Sequence, residues 1–218
     1  TKSSKSGDKL NTNNTEALNL EQYRAAFIGN QSDSLKLVLN GIEGEISASS
    51  DSQTKVYALT KAIQIYNTVG APEVAAGLVF EKAQLIQHTN SWEKTGDNFV
   101  MLLSNPRLDT AILGDVKEKA TQSYTNSIEL DSSNMNSQMK LAQCYIEFSG
   151  QPMQGVQMLL SMVRKNPNNV DAQLLLAKFG LVSGQIEKVL VRLEKVLSLQ
   201  PQNMEALLMR AEAHARSG

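Results

Sequence analysis

The chain has 218 residues, of which 41% are hydrophobic and only 5% aromatic, a balance that favours aliphatic helix packing over a β-sandwich rich in β-branched and aromatic residues. With a formal net charge of −1, we do not expect the basic surface that is typical of nucleic-acid-binding domains. No run of about 18 apolar residues is present, so we expect no membrane-spanning helix here, and the single cysteine, Cys144, excludes an intrachain disulfide.

The first residues are polar and are predicted to form a flexible linker. Residues 1–15 contain Leu10 as their only large apolar side chain, which is too little to offset the entropy lost on ordering. Two N-terminal helices are then predicted within residues 16–53. The first helix carries Leu20, Tyr23 and Phe27 and stops at Gly29–Asn30. The second helix is capped by Ser32 or Asp33 and has a stripe at Leu35, Val38, Leu39, Ile42 and Ile46, before a loop over 48–53.

Helix–turn–helix sequence begins near Thr54. A first helix carries Val56, Leu59, Ile63 and Tyr66 and ends at Gly70. The stretch that follows, GAPEVA, has the same pattern as GQPMQG at 150–155, with Gly, Pro two residues later and a small residue three further on. Proline fits the first turn of a helix, where its missing N–H is not needed. We therefore expect Ala75 and Gly155 to let the two helices of each hairpin approach closely.

Residues 88–133 are predicted to form a longer hairpin. Its first helix carries Trp92, Phe99, Val100 and Leu103, the segment SNPRLD makes a turn, and a second helix runs from Asp109 to Leu130 with Ala120, Tyr124 and Ile128 on one face. Pro106 stops the first helix because it disfavours helical geometry in the residue before it. We interpret Trp92 as a residue packed against the following hairpin, with a binding anchor as the alternative.

One interval dominates the second half of the chain. Gly150, Gly184 and Gly218 recur at a constant 34-residue interval, and Pro167 and Pro201 keep the same interval, each midway between two of the glycines. Ser133 occupies the position at which the preceding proline would fall. A period of about 34 residues is the length of one helix–turn–helix unit that must stack on its neighbours to bury its apolar face.

These residues resemble the tetratricopeptide repeat (TPR) family, strongly over 134–218 and more loosely from residue 54. The unit 170–203 supplies Leu176, Ala177, Gly180, Gly184, Val189, Leu193, Val196 and Pro201 at the family's small and apolar positions, and the unit 136–169 supplies Ala142, Ile146, Gly150, Gly155, Leu159, Met162 and Pro167. Two departures are the missing aromatic residue at the fourth position and Gln143, which falls where a small residue is usual.

The resemblance implies an all-α, right-handed helical-hairpin solenoid, a TPR-like α-α superhelix. Its expected repeats cover 54–87, 88–133, 134–167 and 168–201, followed by a partial repeat over 202–218. A plain helical bundle is the alternative, but five landmarks at one period are hard to obtain by chance when only 5 of 218 residues are proline.

The resemblance also implies where a partner binds, because the first helix of each TPR unit lines a concave groove. Carried over by register from Ser137, the groove residues are Lys140, Cys144, Glu147, Phe148, Asp171, Leu174, Lys178, Leu181, Val182, Glu205, Leu208 and Glu212. The chaperone-binding members of the family clamp a terminal carboxylate with Lys and Asn. Lys140 is present, but Cys144 replaces the asparagine, which argues against such a clamp. The expected partner is therefore a protein or peptide segment held in a partly apolar groove.

No catalytic or cofactor motif occurs in the sequence. It has no phosphate-binding glycine loop, no G-x-S-x-G and no paired cysteines, so we predict neither an enzyme nor a bound cofactor or metal. His88 and His214 are interpreted as surface or edge residues and Cys144 as a small apolar filler. The series Met153, Met158 and Met162 is interpreted as core, with an adaptable binding strip as the alternative.

The leading functional hypothesis is a non-enzymatic interaction scaffold. The alternative is the soluble ectodomain of a membrane-tethered bacterial protein in envelope assembly, suggested by the polar segment 1–15 and a first residue, Thr1, that is not methionine; localisation is otherwise open between the envelope and the cytoplasm. A third hypothesis is an enzyme whose catalytic domain lies outside this chain. The helix 204–217 is expected to pack through Leu207, Leu208 and Ala211 and to leave an open apolar strip that favours self-association.

Overall fold

A computed structural model describes residues 17–217, and every regular element in that range is helical. The chain divides into two compact units, 17–137 and 138–217, with the boundary between Ser137 and Gln138. The all-α hairpin fold predicted from the sequence is therefore confirmed. The predicted linker 1–15 lies outside the described residues, and the repeat boundaries stay predictions.

The first unit contains six α-helices and a short 3₁₀ turn. They are α1 (Leu20–Gly29), α2 (Asp33–Ala48), α3 (Ser52–Thr68), α4 (Pro72–Ile86), α5 (Thr89–Leu103), the 3₁₀ turn Thr110–Ile112 and α6 (Leu113–Leu130). Helices α3 and α4 pair, as do α5 and α6. The predicted helices lie within a few residues of these positions, although the predicted loop over 48–53 shrinks to residues 49–51.

Side-chain caps fix several of these helix starts. Asn19 and Gln22 bond reciprocally across the start of α1, and Asp51 accepts the backbone N–H groups of Gln53 and Thr54 at the start of α3. Such caps satisfy N–H groups that have no partner inside the helix. Ser32 precedes α2 as predicted, but its side chain makes no capping bond. Asp109 instead caps the 3₁₀ turn, so α6 begins at Leu113 and not at Asp109.

Aromatic side chains form the centre of the first unit. Trp92 is 1% exposed and meets Phe80 of the preceding helix edge to face, with ring centroids 5.2 Å apart. Trp92 is thus a core residue and not a surface anchor. The assignment of Val38 to the apolar stripe of α2 is wrong, because Val38 is 52% exposed while Leu39, Ile42 and Ile46 are buried. A straight helix presents only part of a broad apolar stripe to one neighbour.

The second unit is built from α7 (Met135–Glu147), whose first turn belongs to the first unit, α8 (Pro152–Lys165), α9 (Val170–Val182), α10 (Ile186–Leu199) and α11 (Met204–Ser217). Gly150 and Gly184 explain the 34-residue interval. Each sits at the turn inside a hairpin with positive φ, 67° and 73°, a conformation that glycine adopts without steric cost. Pro152 then begins α8 at its first turn, as predicted.

The core of this unit is aliphatic and divides into two clusters. One cluster joins α7, α8 and α9 through Ala142, Leu159, Met162, Ala172 and Leu176. The other joins α9, α10 and α11 through Leu174, Ala177, Leu181, Val189, Leu193, Val196, Ala206, Met209 and Ala213. Gly155 provides the predicted close approach, because a Cβ there would collide with the backbone oxygen of Ala142.

Two predictions about faces in this unit are wrong. Met153, Met158 and Met162 do not act as one stripe: Met162 is buried, while Met153 is 66% exposed. Helix α11 packs through Ala206, Met209 and Ala213, not through Leu207, Leu208 and Ala211. Leu208 is 65% exposed, and the predicted self-association stays a prediction.

The register of α7 differs by one residue from that of α9. Asn134, Asn169 and Asn203 each accept the backbone N–H three positions further on. The interval from Asn169 to Asn203 matches the interval between the glycines, whereas the interval from Asn134 to Asn169 is one position longer. The additional residue is absorbed where α7 ends, because Ser149 N donates to Cys144 O, five positions back.

This shift changes which α7 residue faces the core. Ala142 is fully buried and occupies in α7 the place of Ala177 in α9. The shift explains why Gln143 falls at a small-residue position when the glycines alone are used to align the two units.

Candidate functional site

The predicted groove residues divide into buried and accessible sets. Cys144, Leu174 and Leu181 are 1%, 7% and 5% exposed, and the two leucines pack against α11. They are core residues, so the expectation that they line an open groove is wrong. The one-residue shift turns Cys144 of α7 towards the core, whereas Leu174 and Leu181 are covered by α11.

The accessible residues lie on α7, α9 and α11, except Phe148, which follows the end of α7. Glu147, Asp171, Lys178, Val182, Glu205, Leu208 and Glu212 are exposed, while Lys140 and Phe148 are partly buried. When the one-residue shift is taken into account, the α7 residues of the second unit that are equivalent to the predicted groove residues of α9 are Met139, Gln143, Ile146 and Glu147. Three of the predicted residues, Glu147, Lys178 and Val182, border one cavity of about 680 Å³.

We call this cavity the hairpin groove, because it lies between the turn-side ends of the α7–α8 and α9–α10 hairpins. Its lining includes Ile146, Glu147, Met153, Val156, Leu160, Phe179, Val182, Lys188 and Arg192. Val156, Leu160 and Phe179 are partly buried against the core cluster below. Met153 and Val182 stand above them, 66% and 81% exposed. An apolar floor with two exposed apolar side chains offers surface that water covers at a cost.

The charged side chains of the groove are not balanced. Glu147 is paired with Lys178: its Oε1 lies 3.2 Å from Lys178 Nζ and also accepts a bond from Gln143 Nε2. Lys188 donates to the neutral Gln185 side chain and Arg192 to the neutral Gln173 side chain. Burial lowers the pKa of Arg192, because desolvation disfavours the charged form. The groove therefore presents more positive than negative charge.

A second cavity, of about 570 Å³, lies along α10. It is lined by Pro167, Gln173, Glu187, Lys188, Val191, Arg192 and Lys195. Lys188 and Arg192 border both cavities. Sequence reasoning missed these cations, although their spacing along α10 places them on one helix face.

The main cavity of the first unit has a different character. It measures about 560 Å³ and lies among α1, α3, α4 and α6. Four of its charged side chains form two pairs: Arg24 lies 2.9 Å from Glu81, and Asp115 lies 3.4 Å from Lys119 while accepting the Leu20 N–H. These contacts tie helices together, so we regard this cavity as structural.

Within the described range, no group of three or more metal-ligating side chains is positioned to hold a metal ion. None of the described helices combines the length and apolarity needed to cross a membrane.

Several solved structures have a fold similar to this one. No protein-family model matches the chain, and no curated protein matches it in sequence. Among solved structures, the chain is similar to MamA from residue 41 to its end, from Desulfovibrio magneticus RS-1, at 17% identity and a TM-score of 0.52, covering 78% of this chain and 88% of that one. It is also similar to TTC0263, a TPR protein of Thermus thermophilus, at 12% identity and a TM-score of 0.55, covering 89% and 99% of the two chains. With its regular glycine interval and its helical hairpins, the chain has the tetratricopeptide-repeat fold.

Proposed function

We propose that the chain is a non-enzymatic interaction scaffold that binds a segment of a partner protein in the hairpin groove. The observation that supports this proposal is the exposure of Met153 and Val182 above an apolar floor. Burying one large apolar side chain in such a groove contributes about 1.5–3 kcal/mol. Two or three such anchors contribute roughly 3–9 kcal/mol, which is comparable to the roughly 4–15 kcal/mol cost of association, so specific binding also needs polar contacts from the partner segment.

The groove differs from the surface expected from the family resemblance. Leu174 and Leu181 were the expected apolar anchors, but they stabilise the core. The remaining first-helix residues Glu147, Lys178 and Val182 meet second-helix residues of α8 and α10 at the groove. A partner segment would thus contact the ends of both helices of each hairpin.

The test uses the exposed anchors and a matched control. Met153→Asp combined with Val182→Asp should abolish capture of specific partners from an extract of the source cell, measured by pull-down and quantitative mass spectrometry. The control is Met101→Asp, because Met101 on α5 is also 66% exposed but lies in the other unit. Melting followed by circular dichroism should be unchanged for both variants. Proteins that bind wild type and both variants equally would contradict the proposed site.

A further inference from the structure

Three cations lie on one face of α10. Lys188, Arg192 and Lys195 follow each other at intervals of four and three positions, which places them in a row along the helix. Among the described residues no ion pair involves any of them, because the ion pairs there join other side chains. Lys188 and Arg192 border the hairpin groove, and all three border the adjoining cavity.

Arg192 is held in place by a neutral partner. Its Nη1 donates to Gln173 Oε1 at 2.9 Å, and Gln173 Nε2 in turn donates to Pro167 O at 3.1 Å. Gln173 is only 6% exposed, so these two hydrogen bonds hold the guanidinium in one position on the core side. Its other N–H donors have no acceptor among the described residues and remain available in the fork geometry that suits a carboxylate.

The surroundings add positive potential and supply little negative charge. Helices α8 and α10 both begin at the groove, where Pro152 and Gln185 line it, and neither is capped by a side chain. Helix starts carry partial positive charge. Glu147 is engaged by Lys178. Glu187 lies on the rim of the adjoining cavity and forms no ion pair with the cation row in the described part of the chain.

We propose that the segment bound in the hairpin groove is acidic, with apolar side chains on the groove floor and an Asp or Glu carboxylate on Arg192. A second carboxylate binds Lys188. This inference rests on the proposed function and names the chemistry of the partner. A basic or neutral segment would leave the partly buried guanidinium without a counter-charge, which is costly in a desolvated site. The carboxylate therefore supplies specificity, while the apolar contacts supply area.

The first experiment selects ligands without prior assumptions. A random 16-residue peptide library displayed on phage is panned against the full chain, and against the Met153→Asp, Val182→Asp variant to identify groove-dependent peptides. We expect groove-dependent peptides to combine large apolar residues with an excess of Asp and Glu over the starting library. Groove-dependent peptides without that excess would overturn this inference and leave the proposed function standing. Absence of any groove-dependent peptide would contradict both.

The second experiment tests Arg192 directly. A fluorescein-labelled copy of the most enriched peptide, and its counterpart with Gln and Asn in place of Glu and Asp, are titrated by fluorescence anisotropy. Arg192→Gln should weaken binding of the acidic peptide about 10–100-fold, as for the loss of a charged hydrogen bond. Lys94→Gln, at an exposed cation on α5, should leave affinity unchanged.

A structural role for Arg192 is separated by two further measurements. Arg192→Lys keeps the charge but loses the fork, so it should retain part of the affinity and most of the melting temperature. The amide counterpart peptide should bind wild type and Arg192→Gln equally weakly. Equal loss of both peptides on Arg192→Gln would show that the substitution disturbs the groove and not a carboxylate contact, and would overturn the inference.

Discussion

The α5–α6 hairpin of the first unit and the α9–α10 hairpin of the second have the same antiparallel arrangement but different interiors. In the first, the ring of Tyr124 lies over Gly96, where a Cβ would approach ring carbons to 2.6 Å. In the second, Gly180 faces the Val189 side chain, and the remaining core of that hairpin is aliphatic. Both hairpins use a glycine on the first helix to admit a side chain from the second.

The connections between the paired helices differ as well. Residues 104–112, including a 3₁₀ turn, join α5 to α6, whereas residues 183–185 join α9 to α10 with Gly184 at positive φ. A short turn leaves no freedom in the spacing of the helices, so the second unit keeps a constant interval. A longer connection permits a larger aromatic interior and removes the interval. The constant 34-residue interval can therefore be recognised in the sequence only where the turns are tight.

The largest loss of stability is expected from a charged substitution in the aliphatic cluster that joins α9, α10 and α11. Leu181→Glu buries an unpaired carboxylate and should destabilise the fold by about 3–5 kcal/mol. Its neighbour Val182 is 81% exposed, so Val182→Glu should leave the melting temperature nearly unchanged. Circular dichroism melts of the two variants provide the measurement. Equal melting temperatures would refute the placement of Leu181 in the core.

Glycine-to-alanine changes test how closely paired helices approach in the α7–α8 hairpin and in the α5–α6 hairpin. Gly155→Ala should be the costlier, because the new Cβ meets the backbone oxygen of Ala142, whereas in Gly96→Ala it meets the Tyr124 ring, which can shift. Overpacking of this kind costs about 1–3 kcal/mol. Urea denaturation of both variants measures the difference.

The control for this pair is Gly44→Ala. Gly44 lies within α2, and nothing lies within 4 Å of the position that an added methyl group would take. The change should therefore stabilise the helix by about 0.5–1 kcal/mol. A destabilising Gly44→Ala, or a harmless Gly155→Ala, would contradict the packing described above.

The smallest expected change in stability at neutral pH comes from substituting the buried tyrosines of the first unit, whose contribution is lost only at alkaline pH. Burial raises the pKa of Tyr23 to about 12, and burial together with a hydrogen bond to Glu43 raises the pKa of Tyr66. An unfolded tyrosine has a pKa of about 10. The stability linked to these groups is present below about pH 10 and is lost as the pH rises from about 10 towards 12, because the unfolded chain ionises first.

Hydrogen exchange should therefore show residues 17–137 losing protection in this alkaline range. Tyr23→Phe should reduce the steepness of the loss, while Tyr57→Phe should not, because Tyr57 is 75% exposed. A loss of protection that is the same in wild type and Tyr23→Phe would contradict a role for the buried hydroxyl.

Local sequence was sufficient to predict the helical hairpins and most of their boundaries. Proline at the first turn of α4 and α8 and glycine at positive φ in the turns restrict the backbone locally, so their positions report structure without reference to distant residues. The family resemblance placed Val189, Leu193 and Val196 at apolar positions of the repeat, and all three are buried in α10.

Which faces are open depends instead on how the hairpins stack. A first helix in a stacked hairpin array is covered on more than one side, so Leu174 and Leu181 are buried although their spacing alone permits an exposed groove. The glycines and prolines do not reveal the one-residue shift in α7, because Gly150 and Pro167 both follow the extra residue and keep the regular interval. The hydrogen bonds at the end of α7 and the burial of Ala142 reveal it.

The hairpin groove also results from the way in which the hairpins stack. It joins residues from four helices, and the fixed position of Arg192 depends on the buried Gln173. Contacts of this kind arise from packing between elements that are distant in sequence, and the local pattern of apolar residues, glycines and prolines does not encode them.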